Sequence, residues 1–376
     1  MLETLELVNK IAEFQRKLPY TQDDYKSRSW GHPLHSLCSY QGKLKPSLAH
    51  WLVKTFSPEG GTVLDPMGGV GTIAFEAALT GRVGITNDKS PLAATVTAGK
   101  LAPSSILEAE EAIGRLAEDI ESVDLSAADY EAANFGLNAR VSDYYHPDTL
   151  KEILRARRIF SERREAYPAF VWASLLHVLH GNRPYALSRI SHPITPFNPS
   201  GVAEYRSVVE KIAHRARLAL RNPLPEAFTS GAAIEGDFRD LSEHINEPVD
   251  AIITSPPFMG MRFDRPNWLR LWFCGWDAED FWTTSLGFLE RHQVKSRDSY
   301  IDFFEMSIKT LKQDGLLVMH LGSGGKKNLV NDLKSLAVPL FELAGEVIED
   351  VDDHQTHGIR DRGLTTKHHL LFFKPA

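Results

Sequence analysis

The sequence predicts an α/β protein with a doubly wound, mainly parallel sheet that is interrupted by a helical insertion. Short apolar runs alternate with helical periodicity over residues 46–101 and again over residues 233–376, which is typical of a parallel sheet covered by helices. Between these two parts helical periodicity dominates and strand signals are weak. We therefore expect residues 1–102 and 231–376 to form the two halves of the sheet domain, and residues 103–230 to form the insertion.

The elements can be placed in order along the chain. An amphipathic helix over residues 1–20 comes first, and a second helix begins at Pro46 and ends at the breaker of residues 57–61. Strands are predicted over residues 62–65, 82–86, 233–236, 249–254, 316–320 and 370–373. Further helices are predicted over residues 72–80, 91–101, 105–123, 147–166, 167–180, 202–221, 299–312 and 328–344.

Length and composition are those of an ordinary globular protein. The 376 residues are 43% hydrophobic and 24% charged, and they can bury at least one large core. There is no run of 18 apolar residues to cross a membrane, and the first residues do not resemble a secretory signal. The two cysteines, Cys38 and Cys274, argue against a disulfide framework or a zinc cluster. We therefore expect a cytoplasmic protein.

Charge is distributed unevenly along the chain. The formal net charge is −7, which does not by itself favour a nucleic-acid partner. Residues 151–221 carry 13 Lys and Arg against 5 Asp and Glu, a net +8, whereas residues 108–131 carry one Arg against nine acids, a net −8. The basic block could track phosphates, and a solvated helix face rich in Arg is the alternative.

A glycine-rich loop joins the first predicted strand of the sheet to its helix. Residues 65–72 read Asp-Pro-Met-Gly-Gly-Val-Gly-Thr. Glycines let the backbone turn sharply and approach a ligand closely, at the strand end where such sheets bind ligands. The strict dinucleotide pattern G-x-G-x-x-G is not met because Ala74 takes its third position, and the phosphate-loop pattern is absent. A purely structural turn is the alternative.

Acidic residues follow three successive predicted strands of the sheet: Asp65, Asp88 and Asp237. A carboxylate at the glycine loop would repel phosphates and attract a cation, which favours S-adenosylmethionine over NAD. Asp88, after Asn87, can accept both hydroxyls of a ribose, as in dinucleotide folds. Asp237 and Phe238 would lie beside an adenine. Any one of these acids could instead be a turn or N-cap residue.

A second motif, Ser255-Pro256-Pro257-Phe258, follows an apolar strand. An exocyclic amino nitrogen is a poor nucleophile because its lone pair is delocalised into the ring. Acceptors from Ser255 and the carbonyl of Pro256 would bind its two hydrogens, so that the lone pair could attack a sulfonium methyl in line. Phe258 offers a face for stacking a flipped base. The alternative is a proline-rich turn with a core Phe.

Together these motifs resemble those of amino-directed, S-adenosylmethionine-dependent DNA methyltransferases. Residues 65–72 match the cofactor motif of that family, and residues 255–258 match its (Ser/Asn/Asp)-Pro-Pro-(Tyr/Phe/Trp) catalytic motif. Residues 39–46 resemble the segment that helps to wrap the methionine end of the cofactor. The resemblance covers residues 35–101 and 233–376, and the order of its motifs resembles a known permutation of the family.

This resemblance implies a Rossmann-like methyltransferase sheet, S-adenosylmethionine as the cofactor, and a catalytic role for residues 255–258. The residues that it and the acid pattern assign to the cofactor are Tyr40, Lys43, Asp65, Pro66, Gly68, Gly71, Thr72, Asn87, Asp88, Asp237 and Phe238. Ser at the first catalytic position resembles the cytosine-N4 branch more than the adenine-N6 branch, where Asp is commoner.

Two loops are candidates for contacts with nucleic acid. Residues 180–193 interrupt a helix inside the basic block, and residues 259–270 follow the catalytic loop. The side chains expected to reach phosphates or base edges are Arg183, Tyr185, Ser188, Arg189, Arg262 and Arg265. An ordered interdomain loop is the alternative for the first of these. Three tryptophans that recur every fourth residue favour core packing over base stacking: Trp268, Trp272 and Trp276.

The leading prediction is a site-specific DNA methyltransferase that flips its target and transfers methyl directly to cytosine N4. Double-stranded DNA is then its partner, and a cognate restriction endonuclease is a companion that such an enzyme can have. Adenine-N6, RNA-base and protein-amide methylation are alternatives, as is an inactive paralogue that binds nucleic acid. A cytosine-C5 enzyme is not expected because neither cysteine follows a proline. No metal is expected, since the C-terminal histidines lack Cys partners: His354, His357, His368 and His369.

Overall fold

The fold is built around one seven-stranded sheet. The structure is a computed structural model that describes residues 2–27, 29–324, 329–350 and 365–376, with only the backbone described for residues 2–4. The strand order is β3-β2-β1-β4-β5-β7-β6. The strands are β1 (Thr62–Asp65), β2 (Val83–Asp88), β3 (Ala232–Glu235), β4 (Val249–Thr254), β5 (Leu311–Ser323), β6 (Phe341–Asp350) and β7 (Lys367–Pro375).

The sheet is parallel except at one edge. β1 pairs with β2 and β4, β2 pairs with β3, and β4 pairs with β5, all in parallel. β7 lies antiparallel between β5 and β6. Because the chain winds outward in both directions from β1 and β4, the carboxyl ends of these two strands flank the point where doubly wound sheets bind ligands. The predicted fold class is confirmed.

Helices cover both faces of this sheet and form the segment between β2 and β3. They are α1 (Leu2–Lys17), α2 (Pro46–Phe56), α3 (Thr72–Leu79), α4 (Pro91–Leu101), α5 (Ile106–Ser122), α6 (Ala127–Ala132), α7 (Pro147–Arg163), α8 (Ala169–Val178), α9 (Val208–Ala219), α10 (Leu241–His244), α11 (Trp268–Phe273), α12 (Leu289–His292), α13 (Asp298–Thr310) and α14 (Leu329–Ala337). None of the helices in the described part of the chain is long and apolar enough to span a membrane.

Local sequence signals explain several of the helix starts. Ser90 precedes α4, where its hydroxyl accepts from the N–H of Ala93, and Pro91 occupies the first helical position, where no N–H is needed. Ser105 and Glu108 form a reciprocal capping box at the start of α5. The helix predicted from residue 202 begins only at Val208, because Ser207 caps it there.

The prediction of a helix over residues 328–344 was wrong at its end. α14 stops at Ala337, and Phe341 begins β6. β6 pairs with β7 in an antiparallel register that extends from Phe341↔Pro375 to Asp350↔Lys367. Local apolar spacing could not reveal this pairing, because a strand partner that is distant along the chain overrides helical periodicity. β5 likewise begins at Leu311, five residues before its predicted start.

Helices from the acidic and basic blocks of the sequence pack together, and some of their charges form ion pairs. The acidic helix α5 packs against α7 and α9, which carry most of the basic block. Arg163 lies 3.0 Å from Asp119, and Arg217 lies 2.9 Å from Glu110. The helical segment also shares its core with the sheet domain, in a cluster that includes Val96 of α4 and Leu176 of α8. The three tryptophans of residues 268–276 are buried in that same core, as their spacing predicted.

Candidate active site

A cavity opens at the carboxyl ends of β1, β2 and β4. Its volume is about 1150 Å³ when the open solvent at its mouth is included. Most of the predicted cofactor and catalytic residues line it together: Tyr40, Lys43, Asp65, Pro66, Gly68, Thr72, Asn87, Asp88, Asp237, Phe238, Ser255 and Pro257. Gly71, Pro256 and Phe258 are not among the lining residues. The strand ends thus bring two motifs 190 residues apart to one site.

The glycine loop depends on the absence of side chains. A Cβ on Gly68 would lie 1.8 Å from the hydroxyl oxygen of Thr86, and one on Gly71 would lie 2.2 Å from a methyl of Thr97. Gly71 also has a φ of +66°, which disfavours other residues. The hydroxyl of Thr97 donates to the carbonyl of Gly69 at 3.1 Å, and the ammonium of the buried Lys100 donates to that of Val70. The loop is therefore tightly packed against α4.

Asp88, at the end of β2, is fixed by two backbone donors. Its two carboxylate oxygens accept from Gly69 N–H at 2.9 Å and from Ser90 N–H at 2.8 Å. Burial raises the pKa of Asp88 to about 6, against the effect of these hydrogen bonds. Each oxygen keeps a further lone pair, so the carboxylate can still accept from the hydroxyls of a ribose.

Asp65, at the end of β1, is a buried acid without a cationic partner among the described residues. It accepts from the hydroxyl of Thr254 at 2.7 Å and from Met67 N–H at 3.3 Å. Burial raises its pKa to about 7 in spite of these bonds, and nearby Asp88 adds to the rise. A cation bound in the cavity would relieve this penalty by favouring the ionised form.

Asp237, after β3, lies at the rim of the cavity. It accepts from the ammonium of Lys89 at 3.1 Å and the guanidinium of Arg239 at 3.0 Å. Burial opposes ionisation there, but hydrogen bonds from Arg239 N–H and Lys89 outweigh it and lower the pKa of Asp237. The ring of Phe238 is buried, and the guanidinium of Arg239 lies 5.2 Å from its centroid.

Tyr40 and Lys43 approach the cavity from the segment before α2. The ring of Tyr40 stacks on Phe263, with centroids 5.8 Å apart and planes 13° apart. The ammonium of Lys43 donates to the carbonyl of His35 at 2.9 Å, and burial lowers its pKa. Both side chains therefore help to shape the wall that the wrapping segment was expected to supply.

The Ser-Pro-Pro loop after β4 is held by hydrogen bonds from outside the loop. The carbonyl of Pro257 accepts from the side-chain amide nitrogen of Gln293 at 2.9 Å. The hydroxyl of Tyr300 donates to the amide oxygen of the same Gln293, also at 2.9 Å. No described residue donates to the carbonyl of Pro256. The hydroxyl oxygen of Ser255 lies 3.0 Å from Nδ1 of His320, on β5. Ser255 thus faces the cavity on one side and a histidine on the other.

Phe258 points to a different environment from the one expected. Its ring centroid lies 5.4 Å from that of His320 and 5.7 Å from that of His368. It packs over the histidine pair behind Ser255 rather than on the cavity wall. Stacking of Phe258 on a base therefore stays a prediction, and the contacts that its ring makes are with His320, which bonds to Ser255, and with His368.

Glu290 is a cavity-lining acid that sequence reasoning missed. It is only 5% exposed, and it accepts from Phe263 N–H at 3.4 Å. Burial raises its pKa to about 7, and the charges of Asp88 and Asp264 add to the rise. The surrounding segment lacks helical or strand periodicity and carries no motif, so no local signal marks this residue.

The residues of the first candidate loop, 180–193, are not among those that line the cavity, and several of them are bound internally. Arg183 pairs with Glu204 at 3.1 Å, and Arg189 donates to the carbonyl of Gly201 at 2.8 Å. Ser188 is buried, with its hydroxyl donating to the carbonyl of Arg189, whereas Tyr185 is 55% exposed. Contact of this loop with nucleic acid stays a prediction, and Tyr185 is the side chain best placed for it.

In the second candidate loop, residues 259–270, two arginines contact the same acid, Asp264. Arg262 donates to both oxygens of buried Asp264, at 2.8 and 2.5 Å, and Arg265 lies 3.4 Å from the same carboxylate. The guanidinium of Arg265 also lies 4.6 Å from the ring centroid of Trp282, which is 64% exposed. This Arg–Trp pair presents a cationic and aromatic surface close to the residues that line the cavity mouth.

Histidines near the C-terminus form hydrogen bonds within the fold. His354 and His357 lie outside the described residues. His368 bonds to His320, and His369 bonds to Glu346 and Ser323. In the part of the chain that the structure describes, no group of three His, Cys, Asp or Glu is arranged to bind a metal ion.

One sequence family matches the part of the chain that supplies the residues of β1, β2 and the segment before α2 to this site. Residues 35–142 match the UPF0020 family, described as RMKL-like, methyltransferase domain. The match covers less than a third of the chain, but it includes the wrapping segment, the glycine loop and Asp88. None of the curated protein sequences matches the chain.

Solved structures of methyltransferases are similar to the chain at low identity. TrmN from Thermus thermophilus has 14% identity and a TM-score of 0.35 over 89% of this chain and 50% of its own, so this chain spans about half its length. The rRNA methyltransferase aviRa from Streptomyces viridochromogenes has 12% identity and a TM-score of 0.37 over 94% and 93%. A TehB-like SAM-dependent methyltransferase from Corynebacterium glutamicum has 10% identity and a TM-score of 0.32 over 99% of each chain. Similarity at this level carries no substrate over to this chain.

The cavity fits S-adenosylmethionine. Asp65 is a buried acid with no cationic partner in the described chain, and Asp88 keeps acceptor capacity for a ribose. Asn87 also lines the cavity, and its buried carbonyl oxygen has no partner among the described residues. Together with the match of residues 35–142 to a methyltransferase domain, this site indicates S-adenosylmethionine as the cofactor.

Proposed function

We propose that this enzyme methylates the exocyclic amino group of a nucleobase, and specifically N4 of cytosine in duplex DNA. One observation carries the proposal. The hydroxyl of Ser255 lines the same cavity as Asp65 and Asp88, on a loop whose next carbonyl, that of Pro256, has no donor in the described chain. Two acceptors on such a loop beside a cofactor site suit an acceptor group that carries two N–H bonds.

The residues of this loop would prepare the amino group for attack. Bound S-adenosylmethionine supplies an electrophilic methyl group on a sulfonium. The hydroxyl of Ser255 and the carbonyl of Pro256 would each accept one N–H of the amino group and orient its lone pair toward that methyl. The bond from Gln293, whose own amide oxygen accepts from Tyr300, fixes the loop beforehand, so little reorganisation is needed during the reaction.

Transfer to a ring carbon fits the cavity less well. That chemistry uses a thiol nucleophile, and neither Cys38 nor Cys274 is among the lining residues. Cys38 is buried, and burial raises the pKa of the Cys274 thiol far above its usual range. Direct transfer to nitrogen, without a covalent enzyme intermediate, is therefore the proposed route.

The choice of cytosine and of DNA rests on the motifs. Ser in the first catalytic position resembles the cytosine-N4 branch of amino-directed DNA methyltransferases, and the order of the two motifs resembles a known permutation of that family. The exposed Trp282 beside Arg265 offers a surface for a flipped base or its neighbours. We propose double-stranded DNA as the partner, and a cognate restriction endonuclease as a companion of the enzyme.

Methyl transfer from tritiated S-adenosylmethionine tests this function. Purified protein would be incubated with duplex DNA, single-stranded DNA, bulk RNA and a protein extract, in parallel with the Ser255→Ala variant. We expect label in duplex DNA that is lost in the variant while cofactor binding persists. Label in RNA or protein alone would overturn the choice of substrate.

A further inference from the structure

Two histidines stand in line behind Ser255. The hydroxyl oxygen of Ser255 lies 3.0 Å from Nδ1 of His320, and Nε2 of His320 lies 3.1 Å from Nδ1 of His368. The two imidazole rings stack with centroids 5.0 Å apart and planes 18° apart. His320 is 6% exposed on β5, and the half-buried His368 lies on the neighbouring strand β7. The line therefore runs from the cavity wall into the antiparallel edge of the sheet.

The direction of these hydrogen bonds follows from what Ser255 must do. A hydroxyl has a single hydrogen, and if its oxygen is to accept from a substrate amino group, that hydrogen must be donated elsewhere. Nδ1 of His320 is the acceptor within reach. Only a neutral His320 with its proton on Nε2 can accept there, and that Nε2–H then donates to Nδ1 of His368.

The surroundings of His320 keep it neutral. Burial lowers its pKa well below the usual range, and the neighbouring His368 and His369 lower it further. The charge on Glu346 is already paired with Lys334 at 2.7 Å and bound to His369 at 2.8 Å. The ring of Phe258 packs against both imidazoles. Among the described residues, no carboxylate contacts His320.

We propose that His320, backed by His368, is a positioning residue that makes Ser255 an acceptor toward the substrate and then receives the proton that the methylated nitrogen releases. This inference rests on the proposed function. In the transfer step the N–C bond forms as the C–S bond breaks, and the bonding pair stays on sulfur. One N–H proton of the resulting cation passes to Ser255, whose own proton moves to Nδ1 of His320. The His320–His368 pair then carries the extra proton. The hydroxyl of Ser255 is too weak a base to keep this proton, and His320, backed by His368, takes it up instead.

If His320 were protonated before the substrate binds, the hydrogen bond between His320 and Ser255 would reverse its direction. Nδ1–H of His320 would donate to Ser255, and the hydroxyl hydrogen of Ser255 would turn toward the substrate, where it repels an N–H. The maximal rate should therefore fall on the acid side of the pH profile, and the pKa of that limb should lie below the ordinary range of histidine, because it belongs to the buried His320.

The test compares two variants of His320 with a matched histidine. His320→Ala removes the acceptor, whereas His320→Asn keeps an amide oxygen that can accept from Ser255 but cannot take up a proton. His369→Gln is the control, since His369 bonds to Ser323 and Glu346 and not to Ser255. The full-length enzyme would be assayed for kcat, KM and cofactor affinity from the lowest pH at which it stays folded up to about pH 9, with thermal unfolding as the check on folding.

We expect His320→Ala to lower kcat by about 100-fold or more, the usual range for loss of a general acid or base, with cofactor affinity unchanged. His320→Asn should recover part of that loss and lack the acid limb of the wild-type profile. His369→Gln should keep the wild-type rate. Wild-type kcat and pH profile in a folded His320→Ala variant would overturn the inference while leaving the proposed function intact. Full recovery in His320→Asn with the acid limb retained would overturn the proton-accepting role.

A readout independent of turnover completes the test. In protein with ¹⁵N-labelled histidine, the nitrogen chemical shifts of His320 at neutral pH should show Nδ1 without a proton and Nε2 with one. The opposite tautomer or an imidazolium would overturn the inference whatever the activity. Wild-type enzyme that methylates no nucleobase amino group would instead defeat the proposed function, and with it this inference.

Discussion

Gly68→Ala is the substitution whose effect the structure defines most sharply. The added methyl would lie 1.8 Å from Thr86 Oγ1, 3.1 Å from Thr86 Cβ and 3.5 Å from Asp65 Cγ. The first contact lies far inside the separation of about 3.5 Å at which non-bonded atoms attract each other, so the loop or β2 must move. Overpacking of this kind costs about 1–3 kcal/mol. That free energy corresponds to about 5- to 150-fold in an equilibrium constant.

We expect this cost to appear in cofactor affinity as well as in stability. Asp65 and Asp88 flank the loop, and Gly69 N–H donates to Asp88, so displacement of the loop moves both acids. Isothermal titration calorimetry should show a weaker Kd for S-adenosylmethionine, and thermal unfolding should show a lower midpoint for the apo protein.

A second substitution should rescue the first. Thr86→Ala removes the clashing oxygen and leaves the Cβ at 3.1 Å as the nearest atom, a contact that a shift of a few tenths of an ångström can relieve. The hydroxyl of Thr86 is buried without a partner in the described chain, so its removal leaves no group unsatisfied. Thr86→Ala alone should be nearly neutral, and the double variant should regain most of the lost affinity, a coupling expected for contacting residues.

Gly114→Ala is the matched control, because nothing lies within 4 Å of an added Cβ at this exposed position of α5. It should leave cofactor affinity unchanged and stabilise the helix by about 0.5–1 kcal/mol. Wild-type affinity and midpoint in Gly68→Ala, or a double variant that binds no better than Gly68→Ala, would refute the steric account of the loop.

Three further predictions concern charge and mechanism. Burial raises the pKa of Asp65 to about 7, so calorimetry should show tighter binding of the cationic cofactor as the pH rises through that value, and Asp65→Asn should flatten this trend. The pKa of Asp65 is higher in the folded protein than in the unfolded chain. Its contribution to the stability of the apo protein is therefore present at low pH and is lost as the pH rises to about 7, which thermal unfolding of the apo protein should show. Simultaneous Cys38→Ala and Cys274→Ala should leave the rate of methyl transfer unchanged in the tritium assay, and a folded but inactive variant would contradict direct transfer. Arg163→Ala and Arg217→Ala should leave DNA affinity unchanged in fluorescence anisotropy and change stability by at most about 1 kcal/mol, because α5 already pairs both charges; weaker DNA binding would show that the basic block does track phosphates.

The cofactor half of the site could be predicted because its chemistry is local. Asp65 and Asp88 are the last residues of β1 and β2, and the glycines come just after β1. The carboxyl ends of neighbouring parallel strands lie side by side. Spacing along the chain therefore fixes spacing in the cavity. The Ser-Pro-Pro loop was predictable for the same reason, since it follows β4, the direct neighbour of β1.

The rest depends on contacts between distant parts of the chain. Glu290 and Gln293 reach the site from a segment with no periodicity, and His320 and His368 meet because β5 and β7 pair in one register, in which His320 faces Leu370. Nothing near those residues in the sequence indicates that partner. Likewise, the sequence does not show that α5 packs against α7 and α9, where Arg163 and Arg217 pair with its acids at the surface.

Nucleoside mass spectrometry of DNA from cells that express the protein, compared with cells that express Ser255→Ala, tests the central claim most directly. The account predicts N4-methylcytosine in the first DNA and none in the second, with both proteins folded and able to bind S-adenosylmethionine. N6-methyladenine in place of N4-methylcytosine would contradict the choice of base and keep the amino-directed mechanism. DNA without any methylated amino group, or N4-methylcytosine that persists in Ser255→Ala, would contradict the account.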